Sequence, residues 1–175
     1  MINKFDIRLI IAVALVVLAV ASRFFPLAPN FSPIMAVALF CGVLFANRKG
    51  AVLIPIAIAA MFISDLFLGL HSTMIAVYLS FGIIVFLGMR MKEVSVKTVL
   101  GNSLLGAIIF FVLTNFAVWV AGWYGHTFAG LILCYEMAIP FFRATVASSL
   151  LYSGLLFGGF YFAEKFALQP AKISQ

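Results

Sequence analysis

Six apolar runs, at about 7–25, 33–46, 51–70, 73–89, 98–123 and 139–163, alternate with short polar or proline- and glycine-bearing stretches. Within the runs the apolar positions are nearly continuous. None shows the strict period of two, over about 10 residues, that a barrel strand requires. They predict helices with apolar surroundings on every side, each long enough to cross or nearly cross a hydrocarbon layer of ~30 Å. The second run is the shortest, and its 14 residues make only about 21 Å of helix. It must recruit the preceding loop or pack as a short helix.

Composition places this pattern in a bilayer. Hydrophobic residues make up 66% of the 175 positions and charged residues 9%, where a soluble chain carries about 25% charged residues. The expectation is an all-α integral membrane protein, a single domain over 1–175 with six transmembrane helices. The net charge of +6 does not point to nucleic acid, because the basic residues are scattered between apolar runs and form no face interleaved with aromatics.

The charges also orient the bundle. Lys4, Arg8, Arg48, Lys49, Arg90, Lys92, Lys97, Lys165 and Lys172 fall on one side of the six spans, and only Arg23 and Arg143 on the other. Basic residues accumulate on the cytoplasmic side, so both termini are expected in the cytoplasm of a multi-pass protein of the bacterial inner membrane. The opening MINKFDIRLIIAVALVVLAVAS has the grammar of a signal peptide. Removing it leaves five spans and breaks the charge alternation, so it is read as a retained first helix.

With that topology, the polar and aromatic side chains collect at the outer ends. Candidate ligand contacts there are Arg23, Asn30, Asp65, His71, Tyr78, Asn115, Trp119, Tyr124, Tyr135, Glu136 and Arg143. Asp65, inside AMFISDLFLGLH, is the most demanding, since a carboxylate at membrane depth needs a partner or a task. Pairing with Arg23 or Arg143 and contact with a ligand both stand as readings. Ser32 and Pro33 suit a helix start. Asn115, Trp119 and Trp123 fall on one stripe of the fifth helix at i, i+4 and i+8. Glu136 and Arg143 flank Pro140, taken as the start of the sixth helix, with 26–32 and 124–138 as loops closing over the pocket. Neither histidine has a second ligand at metal spacing, and Cys41 and Cys134 lie at different depths, which argues against a disulfide. No metal or cofactor is expected. No hydrolase, zinc-protease, redox or phosphate-loop motif occurs, so no enzyme activity and no ability to hydrolyse a nucleotide are expected. The rows Ala38/Gly42/Ala46 and Gly154/Gly158 let helices approach closely, within the chain or with a partner.

The stretches SRFFPLAPNFSPIMAVALFCGVLF, PIAIAAMFISDLFLG and TNFAVWVAGWYGHTFAGLILCYEMAIPFF resemble an uncharacterised family of small bacterial six-helix membrane proteins. They run from Arg23 to Phe142, about two thirds of the chain. At the level of fold the chain also resembles the substrate-binding S components of energy-coupling factor vitamin transporters. That resemblance implies an S-component-like bundle with a pocket near the outer face, driven by a separate coupling membrane subunit with ATPases. It departs in its first helix, where Ala12, Ala14, Ala19 and Ala21 never fall four apart as the docking motif of those proteins does. The combined expectation is a solute-binding or uptake component for a small heteroaromatic molecule. The alternatives are an intramembrane enzyme at the outer leaflet, using Asp65, His71, His126, Cys134 or Glu136, and an assembly partner working through its small-residue faces.

The charge asymmetry predicts that, in a background with both native cysteines replaced, a cysteine substituted for Gly125 is labelled from outside intact cells by an impermeant maleimide. One substituted for Glu93 is expected to react only after permeabilisation; the reverse pattern would invert the topology.

Overall fold

The computed structural model describes residues 4–25, 27–45 and 52–167. Six α-helices run through them: α1 Lys4–Ala21, α2 Ile34–Phe45, α3 Leu53–Leu68, α4 Met74–Met89, α5 Val96–Val120 and α6 Phe128–Ala167. A 3₁₀ turn, Ser22–Phe24, follows α1. Three segments are long and apolar enough to cross a membrane, Ile7–Phe24, Val96–Val120 and Phe128–Phe166, and three shorter apolar helices complete the bundle.

The sequence IMAVALFCGVLF of α2 is apolar on all sides, and a helix with no polar face must be surrounded by apolar groups, whether neighbouring helices or lipid. It is: α2 packs against each of the other five helices, and Ile34 through Cys41 are no more than 5% exposed. Around it the order is α3, α1, α6, α5, α4, with α3 and α4 left apart. Residue choice at the α2–α4 crossing explains how close the two helices come. A Cβ added to Gly42 would sit 2.1 Å from the Val85 carbonyl oxygen, and one on Gly88 would sit 2.4 Å from that of Leu39. The small-residue row of α2 is thus consumed inside the bundle; its Ala46 lies outside the described residues.

The interior and exterior are distributed unlike a water-soluble domain. Large apolar side chains face outward along the helices, with Ile75 83% and Phe67 78% exposed, while five serines of α4, α5 and α6 are buried. Ser103 Oγ donates to Ser153 Oγ at 2.7 Å, and Ser149 Oγ donates to the Ser103 carbonyl at 2.9 Å. These bonds join α5 and α6, helped by small side chains that allow near approach.

The sixth helix departs from the sequence reading. Pro140 lies inside α6, and the helix begins at Phe128, eleven residues before the expected 139. The residues thought to form a loop over the pocket are therefore helical from Phe128 onward. The start signal lies upstream: Thr127 Oγ1 accepts the Gly130 N–H at 3.0 Å, as a capping side chain does. Pro140 deprives the Glu136 carbonyl of its helical donor but does not end the helix. At 40 residues, α6 reaches about 60 Å, twice a hydrocarbon layer.

At the opposite end from the polar cluster, Arg8 of α1 forms an ion pair with Glu164 of α6, in the same region as Arg90, Lys92 and Lys97.

The crossing predicts that Gly42→Ala lowers stability by about 1–3 kcal/mol, the scale of overpacking. Gly154→Ala, where a Cβ meets nothing within 4 Å, is expected to leave it unchanged. Thermal unfolding in mild detergent checks both, and equal melting temperatures would contradict the backbone contact.

Candidate functional site

A cleft opens at the end of the bundle that carries the 3₁₀ turn, the α3–α4 turn and the C-terminus of α5. Its larger lobe holds about 750 Å³ and its smaller lobe about 290 Å³. His71, Thr73, Asn115 and Val118 line both, so the two lobes share a wall. The start of α2 contributes Ser32 and Ile34 to the larger lobe. Because α2 is short, its beginning stops below the outer ends of its neighbours, and the connecting segment fills part of the space above it.

That segment is shaped by its own sequence. The Phe31 N–H donates to the Ala28 carbonyl at 3.0 Å, closing a four-residue turn with Pro29 and Asn30 in the middle. Asn30 has φ of 59°, the left-handed region that asparagine tolerates at the third position of such turns. Ser32 Oγ accepts the Ile34 N–H at 3.4 Å, as expected for the start of α2. Phe31 then packs on Tyr152 of α6, ring centres 5.9 Å apart.

Arg23 enters the larger lobe from the 3₁₀ turn, and the partner of Asp65 is settled. Arg23 Nη2 donates to Asp65 Oδ1 at 2.5 Å, Arg23 Nη1 donates to the Met61 carbonyl at 3.2 Å and also to Ser64 Oγ, and Tyr78 Oη donates to Asp65 Oδ2 at 2.8 Å. The Asp65 side chain is 3% exposed and that of Arg23 11%. Buried charges persist when paired and hydrogen-bonded, and this pair is both. Tyr78 reaches from α4 to α3, bridging the side of the ring where those helices are otherwise apart. Asp65 and Tyr78 lie behind the wall; Arg23 is the member of the group that lines the cleft.

On the other wall, Asn115 Nδ2 donates to the Phe111 carbonyl of its own helix at 2.8 Å, leaving its Oδ1 and second N–H for other partners. His71 Nδ1 lies 3.1 Å from Thr73 Oγ1. The smaller lobe is closed by Trp123 and Tyr124 of the α5–α6 turn and by Cys134, Ala138 and Phe141 of α6. Cys134, expected in a loop, is a buried helical residue whose thiol donates to the Asn115 carbonyl at 3.3 Å. Gly130 lets this turn sit on α6: a Cβ there would lie 2.2 Å from the Tyr124 carbonyl oxygen.

The expected site residues therefore divide. Arg23, Asn30, His71, Asn115 and Tyr124 line the cleft. Asp65 and Tyr78 support it from behind. Trp119 turns away: its Nε1 donates to the Thr127 carbonyl at 3.2 Å, and its ring stacks edge-on with His126, which sits 3.0 Å from the Val120 carbonyl. Tyr135 Oη donates to the Val112 carbonyl at 2.8 Å and ties α6 to α5. Glu136 and Arg143, expected as ligand contacts, are exposed on α6 and line neither lobe. Lining residues that sequence reasoning passed over include Thr73, Thr114, Val118 and Phe141. Thr73 and Thr114 adjoin His71 and Asn115, and helix phase alone gave no way to select them.

The fold and cleft define an all-α six-helix bundle with a polar-edged pocket at one end. The chain belongs to the family described as Family of unknown function (DUF6580), which matches residues 3–171. No curated protein and no solved structure matches the chain.

Removing one member of the Arg23–Asp65 pair strands a buried charge, at a cost of about 3–5 kcal/mol. Asp65→Ala is therefore expected to unfold far more readily than the charge-free double variant Arg23→Gln/Asp65→Asn. Equal melting temperatures for the two would show that the pair is not buried.

Proposed function

We propose that the chain is a solute-binding or uptake component of the bacterial cytoplasmic membrane, with six spans, both termini inside and its cleft open to the outer face. The solute is a small heteroaromatic, vitamin-like molecule. The cleft carries this reading. Its lobes fall near or within the 300–1,000 Å³ of small-molecule sites, and it has their make-up of apolar walls with a few convergent polar groups.

The outward-facing apolar side chains support a lipid environment, as does the gathering of basic residues at the end away from the cleft. The solute's flat ring would lie in the smaller lobe against Tyr124, Trp123 and Phe141, where aromatic faces favour offset or edge-on contact. Asn115 and His71, on the shared wall, would hold its polar edge. Trp119 and Tyr135, whose polar atoms are committed to the backbone, would stiffen the α5–α6 end rather than touch the solute. On an S-component-like reading of the sequence, energisation would come from outside the chain. With no nucleotide-binding motif of its own, the chain would depend on a coupling membrane subunit with ATPases for uptake.

Native mass spectrometry of protein extracted in gentle detergent is expected to reveal a co-purifying small molecule with aromatic ultraviolet absorbance. Asn115→Ala/Tyr124→Ala is expected to lose it with no change in melting temperature. A protein that is empty from several growth media would overturn the solute-binding reading, and retention by the double variant would overturn the site.

A further inference from the structure

We infer that the solute carries a planar carboxylate and that Arg23 is the residue that recognises it. This rests on the reading of the cleft as a solute site and specifies its substrate class.

Among the described residues, no aspartate or glutamate lines either lobe. Arg23 is the one permanently charged side chain there, and the remaining polar contributors are neutral hydrogen-bonding groups and His71. Asp65 balances the guanidinium from the protein side, but its oxygens already accept from Arg23 and Tyr78, and it is 2% exposed. It presents no negative charge to a ligand.

The donor count of Arg23 points the same way. A guanidinium has five N–H donors. Nη1 spends both of its own on Met61 and Ser64, and Nη2 spends one on Asp65. Nε–H and the second Nη2 hydrogen have no partner among the described residues. They sit on neighbouring nitrogens of a side chain that lines the larger lobe. Two donors in a rigid plane match the two oxygens of a carboxylate, a pairing stronger than a neutral hydrogen bond. Three existing contacts hold the group in place, so little side-chain freedom remains to be lost on binding. The start of α2, at Ser32 and Ile34 in the same lobe, adds the positive end of a helix dipole. A neutral amide would satisfy only part of this arrangement, and a cation would be repelled by it.

The experiment uses the full chain in nanodiscs and a panel of aromatic carboxylates, each paired with its primary amide, beginning with 2-naphthoate and 2-naphthamide. Binding is followed by tryptophan fluorescence and by thermal shift. Carboxylates are expected to bind about ten- to a hundredfold more tightly than their amides, the range of charge-assisted bonds. The preference is expected to vanish in Arg23→Gln/Asp65→Asn, which leaves no buried charge unpaired, and to fall in Arg23→Lys, which keeps the charge but loses the fork. Amides binding as tightly as carboxylates would overturn this inference while leaving a solute site intact. A preference that survives the double variant would assign the carboxylate to another residue and also overturn it. Binding of no member of any pair would overturn both readings.

Discussion

The burial of α2 organises the molecule. A helix apolar on every face is satisfied by lipid or by other helices; α2 is enclosed by helices, and its twelve residues make only about 18 Å. Five longer or equal neighbours close around it and extend beyond its start. The space above that start cannot be filled by α2 itself. It is occupied in part by the turn built on Pro29 and Asn30, and what remains is the cleft. The close approach at Gly42 and Gly88 fixes α4 against α2, which in turn sets where Tyr78 and the α3–α4 turn stand.

The Arg23–Asp65–Tyr78 group is the polar counterpart of that apolar centre. It ties the 3₁₀ turn after α1 to α3, and α3 to α4, across the one side of the ring where these two helices do not pack. Burying it is tolerable because the donors and acceptors on the protein side are matched. It is also asymmetric: the acid is enclosed and the base is at the cleft wall.

Much of the fold was legible along the chain. The first five apolar runs match their helices to within three residues or so at most ends, because hydrophobicity over many positions is a strong local signal. The sixth failed at its beginning for a local reason as well. Pro140 suits a first helical turn, but Thr127 is a competent cap twelve residues earlier than the expected start, and the apolar segment between them gave no cause to stop. The site was legible in part. Arg23, Asn30, His71, Asn115 and Tyr124 stood out as polar groups at one end and do line the cleft. Trp119, Tyr135, Glu136 and Arg143 stood out equally, yet their side chains bond to backbone or face outward. Depth along a helix can be counted from sequence, whereas rotation about its axis depends on which neighbours it meets.

By itself, then, the sequence determined the helical class, the apolar exterior, the polar end and the opposing basic end, since each depends on composition summed over a segment. The tertiary structure alone decided that Asp65 pairs with Arg23 rather than Arg143, that Tyr78 completes the pair, and that α6 carries Cys134 and Phe141 into the cleft wall. Those outcomes depend on contacts between residues far apart in the chain, within a few ångströms. Such distances are set by how the six helices pack around α2, and no local pattern encodes them.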